Sequence, residues 1–310
     1  MTKLIPYVFF ISLVAQISLA SPQRADLEGV ARIFDYDNKA PLDLQEKSVE
    51  QRNGVQLHDV SFASPKGGRV SAYLVVPPDK GPFAGIVFLH SGQWDRHEFL
   101  SEAFLLASAG AVSVLIDAPP MRPKEFQKKQ DDRLQGYVQL VVDCRRAVDL
   151  LLSRNDVDPK RIAYVGHSLG ATWGGALAVS ERRLRALVLM AGFSEFSAST
   201  RTEIPAAQLE KAEPFLKAVA PLDADRLLPN AAPAAILFQF ADFDQYVSRD
   251  DARKSIQAAS DPKIVKWYSC GHELSDVRAL PDRGEFLHKV IGTAPLRPII
   301  LNDLGWDKRR

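Results

Sequence analysis

The sequence predicts an α/β fold: a mostly parallel, twisted sheet of about eight strands with helices on both faces. Three observations carry that expectation. Short apolar runs recur along the chain, among them Gly85–His90, Ala111–Asp117, Ala186–Met190 and Ala235–Phe240, as suits strands buried on both faces. Segments with apolar residues at helical spacing lie between them. The composition is that of an ordinary globular chain, 46% hydrophobic and 25% charged over 310 residues. Such a balance excludes disorder or coiled coil as a description of the whole. With 39 Lys+Arg against 38 Asp+Glu there is no basic excess to suggest nucleic acid. Two cysteines exclude a disulfide scaffold or a Cys-rich zinc module.

Taken in order, the first element is an address. Lys3 precedes an apolar stretch from Leu4 to Val14, and Ser18-Leu19-Ala20 offers small residues at a cleavage site. Residues 1–20 therefore read as a signal peptide cut after Ala20, which sends the protein to the periplasm or outside the cell. The rival reading, an uncleaved anchor, is weakened by Pro6, Ser12, Gln16 and Ser18 inside the run. The first cysteine is Cys144, so no lipid acceptor follows the cut. Cleavage leaves 38 basic against 38 acidic residues, and no later stretch is apolar for long enough to span a bilayer. No stable membrane insertion is expected of the mature chain.

Residues 21–53 read as a polar, irregular N-terminal extension, with Phe34, Tyr36 and Leu42 as anchors onto the core. Val55–Ala63 and Val70–Val76 form a hairpin around Pro65-Lys66-Gly67-Gly68. After the strand Gly85–His90, a helix over Glu98–Ala109 ends at Gly110, and Ala111–Asp117 is the next strand. Val138, Val141, Val142, Val148, Leu151 and Leu152 place a helix over Gln135–Arg154. Arg161–Gly166 is a strand, Leu169–Ser180 a helix, and Ala186–Met190 a strand. Residues 194–233 then form an insertion too long for a simple connection. Pro205 and Pro214 each suit the first turn of a short helix there, and the position beside the site suggests a cap or lid. Ala235–Phe240, a helix at Arg249–Ala258 and the strand Ile264–Ser269 complete the series. Cys144 falls mid-helix and Cys270 at a strand end, so two buried free thiols are expected rather than the pair an oxidising compartment would allow.

The chemistry gathers at Gly166-His167-Ser168-Leu169-Gly170, a G-x-S-x-G pattern between a strand and a helix. Its glycines allow a tight turn that pushes the Ser168 hydroxyl out at a helix N-terminus. A serine needs a base, and the base needs an orienting acid. Of six histidines, His272 stands just past the last strand, where a loop presents it above the sheet. His90, ending a buried strand, is the alternative base. His167 adjoins Ser168 and is expected to point away from it; His58 lies in the hairpin, and His97 and His288 read as surface or helix positions. Asp242 and Asp244 both stand at the carboxyl end of the strand Ile236–Phe240, where ligand-facing residues collect, and either can serve as the acid. Asp223 and Asp225 read as surface or cap residues.

With these residues in place, the chain from about Gly54 onward resembles the α/β-hydrolase superfamily. The likeness rests on His90-Ser91-Gly92, the Gly166–Gly170 elbow, the Ala241–Val247 turn and His272, in the order Ser, Asp, His. It implies the α/β-hydrolase fold over 54–310, with 194–233 as a cap-like insertion. It also implies Asp244 as the acid, three residues before Val247 in a G-x-x-D-x-x-V turn where Ala241 replaces the usual Gly. The oxyanion donors it implies are the backbone N–H of Leu169 and, from the loop after His90, that of Gly92, with Gln93 as the alternative. Ser91 stands where family members carry Gly. Asp143–Asp149 followed by Asp156–Ile162 looks like dienelactone-hydrolase-like and acetyl-esterase-like members. Dienelactone hydrolases proper use a Cys nucleophile, from which Ser168 departs.

The resulting expectation is an exported serine hydrolase that cleaves carboxylic esters through an acyl-enzyme. Ser168, His272 and Asp244 form the triad, and no metal or organic cofactor is implied. Trp94, Met121, Trp173, Phe193 and Tyr246 are candidates to line a pocket for a small-molecule ester. A prolyl-oligopeptidase-like peptidase and a non-catalytic binding protein on the same fold are the competing readings. The former lacks room for a propeller domain. Nothing in the sequence signals an oligomeric state.

Overall fold

The structure, a computed structural model, describes residues 22–127 and 133–303. The expected signal segment, residues 1–20, lies outside the described residues. Among those described, no helix is long and apolar enough to cross a membrane.

The chain opens with helix α1 (Pro22–Ile33) and strand β1 (Gln45–Arg52), which corrects the expectation of an irregular extension. All eight residues of β1 are exposed, so it shows no apolar alternation. It pairs with β2 (Val55–Ala63) through Asn53-Gly54, both at positive φ, 50° and 83°. Asn-Gly suits a two-residue hairpin turn of this kind. The three expected anchors do hold this segment down. Phe34 is fully buried, the Tyr36 hydroxyl donates to Asp149 at 2.7 Å, and Leu42 packs on the same cluster.

Strands β3 (Arg69–Val76), β4 (Phe83–Leu89), helix α2 (Leu100–Ser108), β5 (Ala111–Ile116), α3 (Arg133–Leu152) and β6 (Val157–His167) follow. After them come α4 (Leu169–Thr172), α5 (Gly174–Ser180) and β7 (Leu184–Met190). The insertion holds α6 (Phe196–Glu203), α7 (Leu209–Val219) and α8 (Ala224–Leu227). The chain continues through β8 (Ala235–Ala241), α9 (Arg249–Ala258), β9 (Lys263–Tyr268), α10 (Ala279–Ile291) and α11 (Leu296–Asp303).

The sheet has nine strands, in the order β1-β2-β3-β5-β4-β6-β7-β8-β9, one more than expected because of β1. The pairs from β1 through β3 to β5 are antiparallel and the rest are parallel. Every residue of β4 and β5 is buried, as a strand covered on both faces requires. Alternation divides β4 between two cores: Val87 and Leu89 join the cluster under α3 and α5, while Ile86 and Phe88 join that under α2 and α10.

Two helix expectations need correction. The helix after the elbow breaks at Trp173, directly before Gly174-Gly175. Low helix propensity there coincides with close packing, since a Cβ on Gly174 would lie 2.3 Å from Leu189 Cδ2. Pro214 lies inside α7 rather than in its first turn, because the chain already turns at Ala206–Gln208, right after Pro205. Cys144 is buried and Cys270 half-buried, and both are free. Burial pushes the Cys144 thiol well above its ordinary range, which suits an inert core thiol.

Candidate active site

The loops after β4, β6, β8 and β9 all leave the carboxyl edge of the parallel strands, where open α/β sheets form their ligand crevice. At the end of β6, Ser168 has φ 50° and ψ −103°, a sparsely populated conformation for a residue with a side chain. The flanking glycines are there for space. A Cβ on Gly166 would lie 2.6 Å from the Gly170 carbonyl carbon, and one on Gly170 would lie 2.4 Å from the Leu89 carbonyl oxygen. The Ser168 N–H donates to the Met190 carbonyl at 2.8 Å, and its own carbonyl accepts from the Thr172 N–H and hydroxyl at 2.9 and 2.8 Å. The elbow is thus pinned through its backbone while the hydroxyl reaches a cavity.

That cavity measures about 490 Å³, and its lining includes Ser168, His272, Gly92, Trp94, Phe193 and Tyr246. His272 is 8% exposed. Its Nδ1–H donates to both carboxylate oxygens of Asp244, at 2.9 and 2.8 Å, which leaves Nε2 as the lone-pair nitrogen. Burial acts to raise the Asp244 carboxyl, but the hydrogen bond from His272 and those from the Val247 and Tyr246 N–H groups hold it below the ordinary range. Asp242, two residues earlier, is engaged by the Arg249 guanidinium and the Ser269 hydroxyl instead. Ser168 and His272 make no direct hydrogen bond here, and unliganded sites commonly tighten only with substrate.

His90 is a structural residue. Its Nδ1–H donates to the Ser91 carbonyl at 2.6 Å and its Nε2 accepts from the Ala118 N–H at 2.9 Å. Burial, outweighing the Ser91 carbonyl, lowers its pKa and keeps the ring neutral. The Ser91 N–H is occupied by Glu98, while Gly92 and Gln93 line the cavity. Leu169 is the first residue of α4, where helix geometry leaves the N–H free. Leu169 also lines a smaller cavity, together with Pro119 and Tyr137.

Of the five candidate pocket residues, Trp94, Phe193 and Tyr246 line the cavity. Trp173 does not: it is buried in the core, stacked on Tyr137 at a ring distance of 4.5 Å. Met121 is exposed at the end of the turn Pro119–Met121 and is not part of the cavity lining. Tyr246 meets the His272 ring edge-on at 4.8 Å and accepts a hydrogen bond from the Gln93 side chain at 3.0 Å. Sequence reading missed Glu98, Glu203 and Glu273, which also line the cavity, and it misjudged His167. That ring does not point away from the site; it lines the cavity too, its centroid 5.2 Å from that of His272. Among the described residues no group of three or more His, Cys, Asp or Glu side chains is arranged to hold a metal ion.

A model of the alpha/beta hydrolase family matches residues 86–301. The chain belongs to that family. It is 30% identical over 243 residues to an uncharacterized protein of Mycobacterium tuberculosis, covering 76% of this chain and 75% of that one. Two solved structures share the fold closely: the acetyl xylan esterase from Paenibacillus sp. R4, at a TM-score of 0.70 and 20% identity, and acetyl xylan esterase 1 from Thermoanaerobacterium sp. JW/SL YS485, at 0.69 and 17%. Each match covers 85% of this chain and 93% of the other.

Proposed function

We propose that this alpha/beta hydrolase family member is a serine hydrolase that cleaves carboxylic esters through an acyl-enzyme. The observation that carries the reading is one cavity holding a strained Ser168 and a His272 whose other nitrogen is fixed by Asp244. His272 Nε2 takes the proton as Ser168 Oγ bonds to the ester carbonyl carbon. The resulting imidazolium is stabilised by the Asp244 carboxylate. The tetrahedral oxyanion is met by the N–H groups of Leu169 and Gly92. Its collapse breaks the bond to the alcohol oxygen, which leaves with the proton from His272. Water, activated by the same imidazole, then releases the acid. Trp94, Phe193 and Tyr246 offer the ester an aromatic wall, and a cavity of about 490 Å³ suits a small molecule.

The structural neighbours named as esterases support ester cleavage. The pattern of residues 1–20 supports export to the periplasm or beyond. Insertion 194–233, whose α6 ends at the cavity-lining Glu203, supports a cap over a hydrolase domain running from residue 54. A series of p-nitrophenyl esters of increasing acyl length tests the function: wild-type protein hydrolyses at least the short members, and Ser168→Ala does not. Cleavage of peptide amides with no ester turnover would make it a peptidase, and neither activity would leave a binding protein.

A further inference from the structure

A second histidine–carboxylate pair lies in the cavity, and the triad does not use it. Glu98 stands between the loop after β4 and helix α2, and His167 is the last residue of β6. Their side chains are 14% and 5% exposed. One Glu98 oxygen accepts the Ser91 N–H at 2.6 Å, and the other bonds His167 Nδ1. His167 Nε2–H donates to the main-chain carbonyl of His272 at 2.8 Å. A continuous hydrogen-bonded chain thus runs from Ser91 N–H through Glu98 and His167 to the His272 carbonyl. Each end is backbone beside a reacting group: Ser91 adjoins Gly92, and the far carbonyl belongs to His272. The middle of the chain is covalently bonded to Ser168.

Both nitrogens of His167 are occupied, so it has no lone pair for the Ser168 proton. A buried carboxylate is costly unless paired, and an apolar pair of the same shape would fill the space. What polar partners add is direction, because hydrogen bonds fix distance and angle where apolar contacts do not. The Glu98 carboxyl is raised by its burial and lowered more by His167 and the Ser91 N–H, so it stays ionised.

We propose that Glu98 and His167 form a positioning strut that sets the oxyanion loop and the base loop at fixed distances from Ser168. This rests on the serine-hydrolase reading. The strut touches no reacting atom; it acts through Gly92 and His272, so it affects turnover more than substrate binding.

The test is a set of variants assayed on a short p-nitrophenyl ester, with kcat counted per site titrated by a fluorophosphonate and folding followed by thermal melts. Glu98→Ala and His167→Ala each lower kcat about 10- to 100-fold, with KM held within about threefold. The double variant is no worse than the weaker single one, because both break the same chain. Glu98→Gln recovers most of the kcat lost in Glu98→Ala: its amide carbonyl accepts the Ser91 N–H and its NH₂ donates to His167 Nδ1. Glu98→Asp keeps the charge, is too short to bridge, and stays low. If the alanine variants do not fold, the Gln and Asp pair decides. Wild-type kcat in folded Glu98→Ala, independent multiplying losses in the double variant, or rescue by Asp and not by Gln would each overturn the strut. Wild-type protein that neither labels nor turns over an ester would instead sink the hydrolase reading itself.

Discussion

Two histidine–carboxylate pairs stand side by side in this cavity, and they differ in what each ring has left to give. In Asp244–His272 the carboxylate takes Nδ1, and among the described residues no group takes Nε2. In Glu98–His167 the carboxylate also takes Nδ1, but the His272 carbonyl takes Nε2. Residue type and burial are alike, and both carboxyls sit below their ordinary range, raised by burial and lowered more by their imidazoles together with the backbone N–H groups they accept. The difference comes from the loops. The acid turn satisfies Asp244 with the Tyr246 and Val247 N–H groups and presents one ring to the cavity. The loop after β4 uses Glu98 to hold its own backbone at Ser91. A pair suited to proton transfer and a pair suited to support are thus told apart by one unoccupied nitrogen.

The largest expected effect separates the two rings. Ser168→Ala and His272→Ala should each lower kcat about 10⁴-fold or more, against the far smaller loss in His167→Ala. An His167→Ala loss as deep as that of His272→Ala, measured in steady-state ester assays, would erase the distinction. Next comes the acid. Asp244→Asn should cost about 10²- to 10⁴-fold in kcat, while Asp242→Asn, which frees only Arg249 and Ser269, should stay within about threefold. The reverse ranking in the same assay would reassign the acid.

The elbow between the pairs is expected to be rigid. Gly170→Ala forces a Cβ against the Leu89 carbonyl and should destabilise by about 1–3 kcal/mol, read by urea unfolding. An unchanged midpoint would mean that the turn yields. The smallest effect is the pH dependence of the strut. Because the folded-state pKa of Glu98 is depressed, its contribution is present above the unfolded carboxyl value, about 4.3, and is lost as pH falls through the lower folded value. The melting-temperature gap between wild type and Glu98→Gln at about pH 5 should close below about pH 4. A gap unchanged at the lowest pH that keeps the protein folded would remove the Glu98 charge from the account.

Legibility followed the pattern each element left. The buried strands and the elbow were readable because apolar runs and two glycines around a serine are local signals, and β4, β6, β7 and β8 stand where those signals put them. Strand β1 left no such trace. Its exposed residues, rich in charge and amide, suit a sheet edge that discourages further pairing, and the Asn53-Gly54 turn was the one clue available. Trp173 was misread because a position near the elbow does not say which side of the helix a ring takes. Glu98 and His167 lie 69 residues apart, and only the closure of the sheet brings them together. Asp244 differs from Asp242 by the backbone N–H groups its turn aims at it, which is geometry rather than composition.

Ser168 is the proposed nucleophile, activated by His272 alone among the histidines at the site. Intact-mass and peptide mapping after exposure to a fluorophosphonate test it most directly. Folded wild-type protein should gain one probe, on Ser168, and His272→Ala should label far more slowly while His167→Ala still labels. Folded wild-type protein that takes up no probe, or takes it elsewhere, would contradict the account.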